Sequence, residues 1–304
     1  SEYEKAYGIK AATVLANYMT NFAEYYYHGM YTITAESLPL NQAEQMREVL
    51  SEDFYSMEEV KRLYLREFRD GDAKLINPYT LSTLGFRVYE NYIVRNTYSS
   101  AASYFRDLLT REDLVDTSRF TPAILRTTIF MSITYNLRST YEIVEYQPLH
   151  YINLRRLEAG GVGREQLQDY CGEVARRYEP GEFFTLASLR EDGFSQPLDD
   201  LGFDDWFYSS LLAEDRGHFT YQRIGGTRLF RRGTERAMMG DMLTWLLNRE
   251  QKMDLYDLMD LLQDHFGIRL PKEKVMEIIR GTDLYYDTIM EAVYIDYDTY
   301  FEEI

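Results

Sequence analysis

Cysteine occurs once in the 304 residues, as Cys171. A single thiol excludes an intrachain disulfide framework and a multi-thiolate metal site, and it fits a reducing compartment. No apolar run is long enough to cross a bilayer, and no signal-peptide pattern opens the chain. The expected location is therefore cytoplasmic, with no membrane partner. The chain begins with Ser1 rather than Met, as an excised piece of a longer protein would. Histidine is scarce, with only His28, His150, His218 and His265. None has the i, i+4 partner or carboxylate spacing of a zinc site, so no metal and no cofactor is expected. Catalytic signatures are missing as well. Gly160-Gly161-Val162-Gly163 lacks the Gly-Lys-Ser/Thr ending of a phosphate loop and is not a Gly-x-Gly-x-x-Gly turn after a clear strand. There is no Gly-x-Ser-x-Gly, no kinase signature and no Cys–His constellation. These absences point away from an enzyme.

Positive charge is in short supply too. The 33 Lys and Arg stand against 50 Asp and Glu, a net charge of −17. Such a chain repels nucleic acid as a whole, so any phosphate contact must come from a local basic patch. Partners with basic surfaces suit the same balance. What the chain has in abundance is aromatic side chains, 28 Tyr and 16 Phe, against only 2 Trp. Tyrosine buries a ring while its hydroxyl reaches a polar partner, which suits thin cores and interfaces.

Helical periodicity opens the chain. Ala11, Val14, Leu15, Tyr18, Met19 and Phe22 form one amphipathic stripe. Tyr25-Tyr26-Tyr27-His28 then closes that helix against a neighbouring sheet, with a short β-like stretch at 30–34. Asn41 caps a second helix. Ser56 and Glu59 read as a capping box ahead of the stripe Val60, Leu63, Tyr64, Phe68. Asn77-Pro78 starts another helix, since Pro is pre-organised for the first helical position. Residues 1–120 therefore read as a mostly helical N-terminal domain. Residues 121–180 read as a β-rich connecting segment, with Tyr141–Tyr146 as its strand signal, followed by a helix over 164–178.

Beyond Pro180-Gly181 one pattern occurs twice. Short helices at 184–191 and 204–214 precede His218–Gly233, which reads as a β-hairpin closed by Gly225-Gly226. Pairing across that turn sets Tyr221 opposite Phe230, Phe219 opposite Arg232 and Arg223 opposite Arg228. Like charges directly opposite are destabilising, so something outside the hairpin must compensate them. The second copy has a helix over 254–265 with Leu255, Leu258, Leu261 and Leu262 inward, a helix after Pro271 with Val275, Ile278 and Ile279 inward, and an expected hairpin within 284–304. Helices followed by a hairpin are the layout of a winged helix. The expectation is an α+β, predominantly helical chain: the helical N-terminal domain, then tandem winged-helix-like modules with short β-hairpins over 181–240 and 241–304.

Two functions follow from the residues. The first is nucleic-acid association of a non-catalytic, regulatory kind. Arg223, Arg228, Arg231, Arg232 and Arg236 invert the charge of the chain locally, and guanidinium groups match phosphate geometry. Their DNA contact would fall mainly on the hairpin, because the helix before it opens with Asp204 and Asp205, which phosphates repel. The second is an acidic protein-interaction module. From Gly281 onward there is no Lys or Arg, and Tyr285, Tyr286, Tyr294 and Tyr297 sit among carboxylates that would face a basic protein surface.

Overall fold

A computed structural model describes residues 36–303 and the paired strands β1 (Tyr26–Tyr27) and β2 (Met30–Tyr31). The stripe read over Ala11–Phe22, and the side chains of the Tyr25–His28 cluster, lie outside the described residues. The rest is a mixture of helices and small three-stranded antiparallel sheets.

One element order recurs four times: helix, strand, helix, helix, hairpin. The first pass is α1 (Leu40–Val49), β3 (Phe54–Ser56), α2 (Met57–Glu67), α3 (Pro78–Thr83), β4 (Phe86–Val88) and β5 (Tyr92–Arg95). The second is α4 (Ala101–Arg111), β6 (Leu114–Asp116), α5 (Pro122–Leu125), α6 (Thr128–Ser139), β7 (Ile143–Gln147) and β8 (His150–Asn153). After the short helix α7 (Leu154–Ala159) comes the third: α8 (Arg164–Arg177), β9 (Phe183–Phe184), α9 (Leu186–Glu191), α10 (Asp205–Glu214), β10 (Phe219–Ile224) and β11 (Thr227–Arg232). The fourth is α11 (Met239–Glu250), β12 (Lys252–Asp254), α12 (Leu255–Asp264), α13 (Lys272–Arg280), β13 (Tyr285–Asp287) and β14 (Ala292–Tyr294), with α14 (Tyr297–Glu303) behind it.

The sheets repeat as well. Their orders are β3-β5-β4, β6-β8-β7, β9-β11-β10 and β12-β14-β13, so the last strand of each pass is always central. The corner from first strand to next helix also recurs. Side-chain oxygens of Ser56, Asp116, Thr185 and Asp254 accept hydrogen bonds from the backbone N–H of Glu59 (3.1 Å), Ser118 (2.7 Å), Ser188 (3.2 Å) and Tyr256 (2.7 Å). Each satisfies an amide that a helix or turn would otherwise leave unpaired as the strand ends.

This differs from the sequence reading of the first half. Residues 40–153, expected as a helical domain and a connector, run through the same order twice. The reason is length: apart from the five-residue β7, whose signal shows in Tyr141–Tyr146, these strands have three or four residues, too few for alternation to show. The tail carries the expected hairpin and adds a short helix after it.

The chain divides into two compact units, Ser1–Leu109 with Arg119–Thr134, and Thr110–Ser118 with Tyr135–Ile304. In the first, Leu50, Val60, Tyr64, Leu81 and Ile93 form a core closed to solvent. Phe54 stacks on Tyr92 and Tyr104, each at 5.4 Å, and meets Phe120 edge-on at 5.0 Å. Such pairs add roughly 0.5–1.5 kcal/mol each beyond the area they bury. The second unit holds two clusters. One joins Val144 and Ile152 to Leu167, Cys171, Phe184, Phe207, Leu211 and Phe230, and the other is built around Leu243, Leu247, Leu258, Ile279 and Val293.

Candidate functional site

The arginine hairpin forms with the expected register: Tyr221 faces Phe230, Phe219 faces Arg232 and Arg223 faces Arg228. Gly225 and Gly226 both have positive φ, 56° and 89°, which the tight turn requires. A Cβ on Gly225 would also stand only 3.1 Å from the carbonyl oxygen of Arg269.

The five guanidinium groups have different surroundings. Arg228 is buried, 3% exposed. One of its nitrogens donates to Ser209 Oγ at 2.5 Å, and another lies 3.5 Å from a Glu145 carboxylate oxygen. Its guanidinium sits 4.3 Å from the centre of the Trp206 ring, and that of Arg223 sits 5.0 Å from it. The carboxylate and the indole face offset the like-charge pair across the strands. Burial, then the nearby Arg223, push Arg228 down to about 10, against the pull of Glu145. Arg231 pairs with Glu235 and lies 3.8 Å from Asp241. Arg232 donates to the carbonyls of Ala175 and His218, each at 3.1 Å, and so ties α8 to the base of the hairpin. Arg223 and Arg236 are exposed. The structure thus does not bring the five arginines together as one open ridge. Arg228, Arg231 and Arg232 are hydrogen-bonded or ion-paired within the fold, while Arg223, resting on the Trp206 ring, and Arg236 are exposed.

The helix before the hairpin is α10, started by Asp204, whose carboxylate accepts from the Trp206 N–H at 3.0 Å. Seven successive residues, Phe207 to Ala213, are buried. Consecutive residues point in all directions around a helix, so α10 is enclosed on every face from Phe207 to Ala213, and what its first turn leaves exposed is the Asp205 carboxylate. It packs on β7, which delivers Glu145 to Arg228. Arg138 at the end of α6 completes the arrangement, ion-paired with Glu214 and 3.9 Å from Glu145. Two guanidinium and two carboxylate groups are thereby joined with little access to solvent.

The tail tyrosines also separate. Tyr294 is buried at 3% exposure, under the Lys252 ammonium at 5.0 Å from its ring. Tyr285 is half-buried, tilted against Tyr300 at 4.5 Å and meeting Tyr297 edge-on at 5.1 Å. Tyr286 is half-buried against the core. Tyr297 is open, with Phe301 one turn on at 6.3 Å. Sequence reasoning missed Phe301 as well as Ile289 and Met290, both exposed at the tip of the β13–β14 hairpin.

Each described histidine has a carboxylate neighbour: His150 with Asp116 at 3.4 Å, His218 with Asp215 at 2.7 Å and His265 with Glu191 at 2.8 Å. Among the described residues no three metal-ligating side chains converge. An open cavity of about 770 Å³ has Arg231, Arg280, Asp241, Asp283 and Trp245 in its wall, guanidinium and carboxylate groups in equal number. No described helix is long and apolar enough to cross a membrane. No family model matches the chain, and neither a curated protein nor a solved structure does.

Proposed function

We propose that this chain is a non-catalytic array of winged-helix-like modules that docks proteins with basic surfaces. The recurring order helix, strand, helix, helix, hairpin, with the last strand central, supports the modular reading. The single observation that carries the functional reading is the enclosure of α10 by β7, with Arg228 inside. In a winged helix that reads DNA, the helix before the hairpin must be open to enter the major groove.

The corresponding helices elsewhere point the same way. α3 has no charged residue, and the one charge on α6 is Arg138, turned to Glu214. On α13, Lys272 pairs with Glu291 and Lys274 with Glu277, and the third cation, exposed Arg280, stands apart at the other end of the helix. None of the four offers the cluster of cations that a phosphate backbone demands. The surplus of carboxylates over the whole chain suits a cationic protein instead.

Titration with labelled duplex and single-stranded DNA at two salt concentrations, beside a labelled lysine-rich peptide, tests the proposal. Salt-sensitive binding of the peptide and none of DNA is the expected result. Exposed Arg223 and Arg236 favour the other reading, phosphate contact through the hairpin. Salt-sensitive DNA binding that disappears in Arg223→Ala/Arg236→Ala would establish that reading and overturn this one.

A further inference from the structure

The tip of the fourth hairpin is unlike that of the third. Between Asp287 and Glu291 it carries Ile289 and Met290, exposed to 89% and 61%. Ile289 is the most exposed large apolar side chain among the described residues. Two neighbouring apolar side chains on a projecting tip gain free energy when a partner removes them from water.

The tip is also held in place. Asp287 is nearly buried, and one of its carboxylate oxygens accepts from the backbone N–H groups of Ile289 at 2.7 Å and Met290 at 3.2 Å. On the far side Glu291 pairs with Lys272 at 2.6 Å, and Lys272 donates to the Tyr256 hydroxyl at 2.9 Å. The Glu291 carbonyl accepts from Leu255 N–H at 2.8 Å. These bonds fix the tip to the starts of α12 and α13, so ordering it on binding costs little. Tyr256, itself 48% exposed, adds a ring beside that anchorage.

The surroundings are acidic. Residues 281–303 contain seven Asp and Glu and no Lys or Arg, and α12 presents exposed Asp257 and Asp260. That field repels a phosphate backbone or an anionic lipid surface. It repels a second copy of this chain by the same rule. With the Lys272 ammonium taken up by Glu291, the exposed Asp257 and Asp260 leave the neighbourhood of this apolar point negative, complementary to an apolar socket bordered by Lys and Arg.

We infer that Ile289 and Met290 are the anchor of a protein-docking surface, inserted into an apolar socket with a basic border on the partner. This rests on the docking function proposed above and assigns it a site. A phage-displayed library of random peptides, panned on the full chain, tests both without a known partner. Enriched peptides should combine Lys or Arg with apolar residues and bind more weakly as salt rises. Synthetic copies should lose about 30-fold or more of their affinity for Ile289→Asp/Met290→Asp, the scale of a hot spot. The substituted side chains are exposed, and an unchanged circular dichroism melt would show that the variant is folded. Basic peptides that bind the variant as well as the parent would overturn the anchor while leaving acidic docking in place. Enrichment of peptides without basic residues, or of none, would overturn the docking function itself.

Discussion

Arg228 and Glu145 stand 83 residues apart in the chain and 3.5 Å apart in space, both almost closed to water. One belongs to the third sheet and the other to the second. Removing one member of a buried pair strands the charge of the other. Arg228→Ala is therefore expected to cost about 3–5 kcal/mol. Replacing both, as Arg228→Met with Glu145→Leu, should cost less than the single change, because no unpaired charge is left and Arg138 keeps Glu214. A double-mutant cycle read from urea midpoints checks this, and additive losses would show that the pair contributes nothing as a pair.

Alkaline pH should weaken the fold through Cys171 and Tyr92. Burial pushes the Cys171 thiol from 9.0 up to about 12, and burial with neighbouring Tyr89 pushes Tyr92 from 10.0 up to about 12. In both cases the native state holds a proton that the unfolded chain gives up earlier. The stability is thus complete below pH 9 and is lost as pH rises toward 12. Each such proton is worth at most about 1.4 kcal/mol per pH unit. Urea midpoints at pH 8, 9 and 10 should fall progressively, and Cys171→Ala should flatten the dependence between 9 and 10. An unchanged dependence would mean that the thiol ionises alike in both states.

The strand-to-helix corners should not be equal in cost. Thr185 Oγ1 accepts from Ser188 N–H and donates to the Phe266 carbonyl at 2.8 Å, linking the third pass to the fourth. Among the described residues the Ser56 hydroxyl makes its cap alone. Ser56→Ala is expected to cost about 1 kcal/mol, the usual value of an N-cap. Thr185→Ala should cost more, by about the 1–3 kcal/mol of a buried acceptor left unpaired. Thr185→Ser should recover most of that, and equal midpoints for the two alanine variants would refute the added role.

The hairpin was readable from sequence because two glycines position the turn, and the turn sets every pair behind it. The face of α12 was readable because Leu255, Leu258 and Leu262 recur at helical spacing and are indeed buried. The burial of α10 was not. Asp204, Asp205, Ser209 and Ser210 give it a polar look, and what covers it is a strand from the preceding pass. The burial of Arg228 is hidden in the sequence for the same reason, since its carboxylate partner lies in another sheet. Tyr294 looked like its tail neighbours but faces inward from the central strand. The recurrence through the first half had one local trace, the short polar residues Ser56, Asp116, Thr185 and Asp254 at the strand ends.

In each of the four three-stranded sheets the strand that comes first in the chain pairs with the one that comes last. During synthesis the early strand must therefore wait, without its hydrogen-bonding neighbour, until both helices and most of the hairpin have emerged. Its brevity, two or three residues in all four cases, leaves little edge for a wrong partner to capture in that interval.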